Sequence, residues 1–168
     1  MNTLTKRGMT LFELLAVIVI LGIVAAIAFP TVNSLINNTK KDAIAANANT
    51  FIQTAITNVR TDYNSMQYGD LADDSKTYIV YVDASLDTSY PTTVTVTDTD
   101  FQIDLSDDFL KLDKAYLTIT ISDDGTNIVL STFVYIEGDY GVDEGTVADE
   151  DTPITRKHVI DSTDVTIA

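Results

Sequence analysis

Polar and apolar positions divide the chain into three regimes. Residues 14–29, LLAVIVILGIVAAIAF, contain no polar side chain. Beyond Pro30, the residues Val32, Leu35, Ile36, Ala43, Ile44, Ala48, Phe51, Ile52, Ala55, Ile56 and Val59 recur mostly at steps of three and four. Asn, Thr, Lys, Asp and Gln fill the gaps, as in an amphipathic helix with one buried face. Together the two stretches predict one helix from about Met9 to Tyr63. After Tyr63 the period changes. Residues 64–76, NSMQYGDLADDSK, are polar and broken, and read as a loop. Five segments rich in β-branched and aromatic residues follow and predict strands: Tyr78 to Val82, Thr93 to Thr97, Phe101 to Leu105, Tyr116 to Ile121 and Ile128 to Ile136.

Between the last two segments lies Ser122-Asp123-Asp124-Gly125-Thr126-Asn127, and Asp-Gly between alternating apolar runs signals a hairpin. From Glu137 onward the chain is loop-rich and acidic, with short strands expected at His158–Ile160 and Val165–Ile167. The fold class that follows is α+β: a long N-terminal helix whose C-terminal half lays its apolar stripe on an antiparallel sheet. Residues 36–63 would be that amphipathic half, and residues 64–168 a β-sheet head with an acidic C-terminal loop region.

Charge narrows the function classes. Twenty-five acidic residues stand against 10 basic ones, a formal net charge of −15. Such a head repels phosphate backbones, so direct nucleic-acid binding is not expected. The chain has no cysteine. Neither a disulfide nor thiolate chemistry is available, and the core alone must hold the head together.

The N-terminal segment has three ordinary readings. Lys6 and Arg7 before the apolar run, with Ala26-Ile27-Ala28 after it, fit a secretory signal cleaved after Ala28. The same run, with Leu11 and Phe12, reaches about 18 apolar residues, near the lower end of what spans a bilayer. Its basic flank would then stay on the cytoplasmic side. Neither reading explains Glu13. An acid at the centre of a membrane helix costs roughly 2.5–3.5 kcal/mol on insertion scales, less near the edge, where Glu13 would sit in the headgroup layer.

The stretch Lys6-Arg7-Gly8-Met9-Thr10-Leu11-Phe12-Glu13-Leu14-Leu15, followed by the apolar run, resembles the class III leader and N-terminal helix of type IV prepilins. The resemblance implies that residues 1–8 are a leader removed by a prepilin peptidase between Gly8 and Met9, and that Met9 is then N-methylated. Glu13 falls on the fifth mature residue, where the family has a glutamate that neutralises the N-terminal amine of a neighbouring subunit. Gly22 and Pro30 match the family's helix-softening pair, although a simple proline kink explains Pro30 as well. Residues 9–35 would be the membrane anchor and, after assembly, the filament core. Many pilin heads are closed by a C-terminal disulfide; this one has no cysteine to form it.

Other candidate sites are weaker. Asp143, Glu144, Asp149, Glu150 and Asp151 form the acidic group best suited to calcium, but the EF-hand spacing is absent and a solvated acidic surface accounts for them. His158 is the only histidine, so no transition-metal cluster of ordinary ligand spacing is expected. No nucleophile elbow or comparable signature is present, and no catalytic residue or cofactor is expected.

The expectation is therefore a structural subunit of a type IV pilus, a surface filament of the kind that serves adhesion, motility, DNA uptake or protein secretion, moving from the cytoplasmic membrane to the cell exterior. Its partners would be further copies of itself in a homo-oligomeric helical filament, the prepilin peptidase, and the membrane and pilus assembly machinery. A type II secretion pseudopilin or minor pilin is the alternative within the class. A secreted binding module with an ordinary signal peptide is the alternative outside it.

Overall fold

The computed structural model describes residues 9–66, 75–82, 101–110, 112–122, 125–142 and 152–165. The chain divides into two compact units, Met1–Thr39 and Lys40–Ala168. Helix α1, Leu11–Met66, supplies the described part of the first and opens the second.

In the first unit the helix runs unbroken through Gly22 and Pro30. Pro30 has no N–H to give the carbonyl of Ala26, so one rung of the helix is missing. One residue on, the Thr31 hydroxyl donates to the Ile27 carbonyl at 3.3 Å. The helix starts at Leu11 and ends at Met66 rather than spanning Met9 to Tyr63. Thr10 stops it at the front by acting as its cap, and Asn64–Met66, expected in the loop, continue it at the back.

In the second unit the apolar stripe is buried as its spacing predicts. Ala48, Phe51, Ala55, Ile56 and Val59 are almost wholly shielded from solvent. They meet the sheet built from β1 (Lys76–Val82), β2 (Phe101–Asp104), β3 (Lys114–Ile121), β4 (Ile128–Glu137), β5 (Tyr140–Val142) and β6 (Val159–Asp161), in the order β2-β1-β3-β4-β5-β6. Phe51 sits at the centre. Its ring packs edge-on to Phe109 at 5.4 Å and lies 6.4 Å from Phe133 and 6.2 Å from Tyr135.

Four of the five strand pairings are antiparallel, but β1 and β2 run parallel, with Tyr78 opposite Phe101 and Tyr81 opposite Asp104. The sheet is thus mixed, where an all-antiparallel one was expected. A parallel neighbour needs a crossover of about a dozen residues or more, and residues 83–100 are long enough to make it. The strand expected at Thr93–Thr97 lies outside the described residues.

The β3–β4 hairpin forms where Asp-Gly placed it. Ser122 N–H donates to the Asn127 carbonyl at 3.0 Å, and Gly125 takes a φ of +70° that other residues rarely adopt. A Cβ at Gly125 would also fall 2.8 Å from the Tyr63 ring. Along β4 the inward-facing set changes phase, from Leu130 to Phe133 and Tyr135. A register shift opposite Leu117 to Ile119 accounts for it: Ser131 and Thr132 together face Thr118, which is a β-bulge.

One strand went unforeseen. Glu137-Gly138-Asp139-Tyr140 is a two-residue hairpin turn, with Gly138 at φ +59°, joining β4 to β5. The strand expected at His158–Ile160 appears one residue later, because Arg156–His158 form a 3-10 turn in which the Thr155 N–H donates to His158 Nδ1 at 3.1 Å. Val165, expected to open a final strand, instead follows the 3-10 turn Ser162–Asp164, and residues 166–168 lie outside the described set.

With no disulfide to hold it, the segment 152–165 is pinned by side chains of α1. The Asn49 amide pairs with Ile154 in both directions, as a neighbouring strand would. Its oxygen accepts from Ile154 N–H at 2.8 Å, and its nitrogen donates to the Ile154 carbonyl at 2.9 Å. Lys41 Nζ donates to the Val159 carbonyl at 3.1 Å, and Arg156 pairs with Asp42 at 2.8 Å. These attachments differ in worth. Both members of the Arg156–Asp42 pair are about half exposed, so Asp42→Asn should cost less than about 1 kcal/mol. Asn49→Leu would strand two backbone groups in a partly buried site and should cost about 1–3 kcal/mol. Denaturant unfolding of the two variants, with amide exchange at Ile154, checks this; equal losses would contradict it.

Candidate functional site

The chemistry singled out at the N-terminus starts at Met9, which is exposed; Gly8 lies outside the described residues. Thr10 and Glu13 make a reciprocal cap on α1. The Glu13 carboxylate accepts from Thr10 N–H at 2.7 Å and from the Thr10 hydroxyl at 2.9 Å, while Glu13 N–H donates to Thr10 Oγ1 at 3.3 Å. This is a capping box, Ser/Thr-x-x-Glu, which satisfies backbone donors that the first turn of any helix leaves unpaired. The sequence carried its signature, Thr10-Leu11-Phe12-Glu13, and the hydrocarbon cost of Glu13 drew attention away from it. An acid in the first turn also meets the positive end of the helix dipole.

The arrangement has a chemical consequence. Glu13 is held one turn from Met9, with its charge facing the end of the chain that a cut at Gly8 would turn into a free amine. Among the described residues both contacts from Thr10 go to Oε2, which leaves the other carboxylate oxygen, Oε1, for a further donor.

From Leu11 to Ile36, α1 presents its large apolar side chains to solvent all round. Phe12 is 81% exposed, Leu21 61%, Ile27 70% and Phe29 68%. The helix is long and apolar enough to cross a membrane, with a mean hydropathy of 2.9 over its most apolar window and none of that window buried. Gly22 lies in open space: a Cβ there would meet nothing within 4 Å. Gly22 and Pro30 therefore share a helix with Glu13 but contact no common partner.

Asp143, Glu144, Asp149, Glu150 and Asp151 lie outside the described residues, as do the acidic pairs at 73–74 and 123–124. Among the described residues no group of three or more His, Cys, Asp or Glu is placed to hold a metal. Asp104 is engaged locally: its carboxylate accepts from the Ser106 N–H and hydroxyl, which holds its pKa below the usual carboxylate value. His158 serves the 3-10 turn already described.

A polar cluster that sequence reasoning missed lies under a cleft of about 350 Å³ whose lining includes Asn47, Phe109, Tyr135 and Glu137. The Tyr135 hydroxyl donates to Glu137 Oε2 at 2.7 Å, and Asn47 Nδ2 donates to both carboxylate oxygens, at 3.0 and 3.2 Å. Burial, then the Glu137 carboxylate, push the Tyr135 phenol far above its ordinary value. Tyr78 is raised in the same way, by burial and by Asp62. A phenol whose folded pKa exceeds its unfolded one stabilises the fold fully below the unfolded value, about 10, and loses that contribution as pH rises toward the folded value. Head stability should therefore decline above about pH 10, and Tyr135→Phe should flatten that decline; an unchanged alkaline limb in the variant would oppose it.

Searches of curated proteins and of solved structures find no match. Residues 4–29 match the family model described as the prokaryotic N-terminal methylation motif. That motif, the class III prepilin leader of type IV pilins, opens a chain of α+β architecture with an exposed apolar N-terminal helix, and supports a type IV pilin-like or pseudopilin protein.

Proposed function

We propose that the chain is a structural subunit of a type IV pilus, cut between Gly8 and Met9, methylated at Met9 and polymerised through residues 9–35. The observation that carries this reading is the stretch of α1 from residue 14 to 29: apolar on every side, exposed along its length and lying within the methylation motif. Burying one such Leu, Ile, Val or Phe side chain is worth about 1.5–3 kcal/mol. Lipid supplies that burial before assembly, and a bundle of identical helices supplies it afterwards.

Glu13 sets the register of that bundle. Its carboxylate meets the Met9 amine of a neighbouring copy, and a copy out of register would bury both charges unpaired. Prepilin peptidase and a membrane-bound assembly machinery are the implied partners. The cell exterior is the destination.

The mass of the mature N-terminus tests the reading. Methylated Met9 is expected; a start at Phe29 would identify an ordinary secreted protein, and a start at Met1 a plain anchor. Electron microscopy of sheared surface material then separates a long pilus from the short filament of a pseudopilin, which the same motif also fits.

A further inference from the structure

The cleft above Tyr135 and Glu137 lies wholly in the second unit, and the filament reading gives it no task. Its volume of about 350 Å³ falls at the small end of the range of ligand sites. Three parts of the chain wall it: α1, the segment that follows β2, and β4.

The polar groups of the lining are one-sided. Among the described residues its side-chain donors come from Asn47, Thr50 and Tyr135, and each is already engaged. The two hydrogens of the Asn47 amide go to the two Glu137 oxygens, the Tyr135 hydroxyl goes to Glu137 Oε2, and the Thr50 hydroxyl goes to the Ala46 carbonyl at 3.0 Å. What remains is acceptor. A carboxylate offers about four lone-pair sites, and these donors leave Glu137 Oε1 with room for another. No described residue donates to the carboxylate of Asp108, and the described lining contains no Lys, Arg or His. A ligand that fits must therefore bring hydrogen-bond donors and positive charge, since an anion would meet acceptors and like charge.

The rest of the wall is apolar. Phe109 packs edge-on to Phe51, Leu112 is half-buried against the core, and Leu110 is 84% exposed. Covering Leu110 rewards a ligand with an aliphatic part. A bare metal ion fits poorly, because the lining has two carboxylates and among the described residues no trio of ligands is placed for one.

We infer that this cleft binds an amphiphilic cation, an ammonium or guanidinium on a short aliphatic stem, with its head on Glu137 and its stem along Phe109, Leu110 and Leu112. Asp108 adds negative charge to the same lining. Tyr135 is 1% exposed, so the phenol that holds Glu137 is itself fixed by the core, and the carboxylate is in place before a ligand arrives. A free amine and the side chain of an arginine or lysine share this chemistry.

Calorimetric titration of the full-length chain in detergent, at about 0.15 M ionic strength so that long-range attraction is screened, provides the test. Agmatine and a blocked tripeptide with a central arginine carry the same head on a free molecule and on a peptide. At least one of them should bind, one per chain, and the tighter identifies the source. Glu137→Gln keeps an acceptor for Tyr135 and should weaken binding at least about tenfold. Asp164→Asn removes an equal charge outside the lining and should change affinity less than about twofold. Asp108→Asn, at an exposed position, reads the same site should the glutamine variant fail to fold, and a loss of about threefold is expected. Hexanoate, a similar stem with the opposite charge, should not compete. Equal weakening from Glu137→Gln and Asp164→Asn would mean that overall charge attracts the cation and the cleft does not hold it. Wild-type affinity in both Glu137→Gln and Asp108→Asn, competition by hexanoate, or no binding of either probe would each overturn the site. Lys111, beside Leu110 and Leu112 in sequence, lies outside the described residues. Lys111→Ala should leave affinity within about twofold; a tenfold gain would show the cleft serving the chain's own lysine and overturn an external ligand.

Discussion

Glu13→Gln should abolish filament assembly almost as completely as Glu13→Ala, while leaving cleavage after Gly8 intact. The two substitutions separate the cap seen in the structure from the proposed pairing with a neighbouring amine. Glutamine can still accept from Thr10 N–H and so keeps the helix cap, whereas alanine loses it. The magnitudes decide which loss matters. A cap is worth about 1 kcal/mol. An ion pair at about 4 Å in a partly screened interior is worth roughly 4 kcal/mol, on the order of a thousandfold in an equilibrium. If pairing with a neighbouring amine drives assembly, both variants should fall at least a hundredfold in filament yield. Should the glutamine variant assemble as wild type while the alanine variant fails, Glu13 acts as a cap and its charge is irrelevant. The yield of sheared filaments, normalised to processed subunit in the membrane, reads the difference.

The second large effect belongs to the head. Phe51→Ala should destabilise it by about 3–5 kcal/mol, a large share of the 5–15 kcal/mol that holds a typical domain together. Phe51 is fully buried and meets three rings from two different parts of the chain: Phe109 after β2, and Phe133 and Tyr135 on β4. No single neighbour can move to fill the space. Phe51→Leu keeps most of the volume and should cost roughly 1–2 kcal/mol. Chemical denaturation of detergent-solubilised chain, followed by near-UV circular dichroism, measures both. A loss below about 1.5 kcal/mol for the alanine variant would mean that the helix is far less essential to the sheet than its packing indicates.

The helix stripe was legible because burial on one face of a long helix leaves a repeat that neighbouring residues reinforce, from Ala48 through Val59. The strands were legible in position: β1, β2, β3, β4 and β6 all lie within two residues of their expected limits, because each carries β-branched or aromatic residues bounded by turn residues. What escaped was set by partners distant in sequence. The direction of β2 depends on how residues 83–100 return it to β1, and no local period records that. Strand β5 is only Tyr140–Val142, too short to alternate, and its best sign was the Gly138-Asp139 turn before it. The capping box at Thr10 and Glu13 was written in plain spacing. Its energy is about 1 kcal/mol, smaller than the membrane cost that the following apolar run sets for the same carboxylate. The pairing of Asn49 with Ile154 had no sign at all, since an asparagine in the middle of a helix usually bonds its own turn, and this one does that as well, through the Ala45 carbonyl.

That pairing ties the segment 152–165 to the core. Ile154 and Val159 are buried, and Asn49 and Lys41 of α1 hold their backbone. With the segment detached, the Asn49 amide has only its own helix to bond, and the buried faces of Ile154 and Val159 meet water. Local opening there exposes core and backbone together, so proteolytic nicking between residues 152 and 165 should lag far behind nicking in an unattached loop. A side-chain amide thus does the work of a cross-link, and no reductant can undo it.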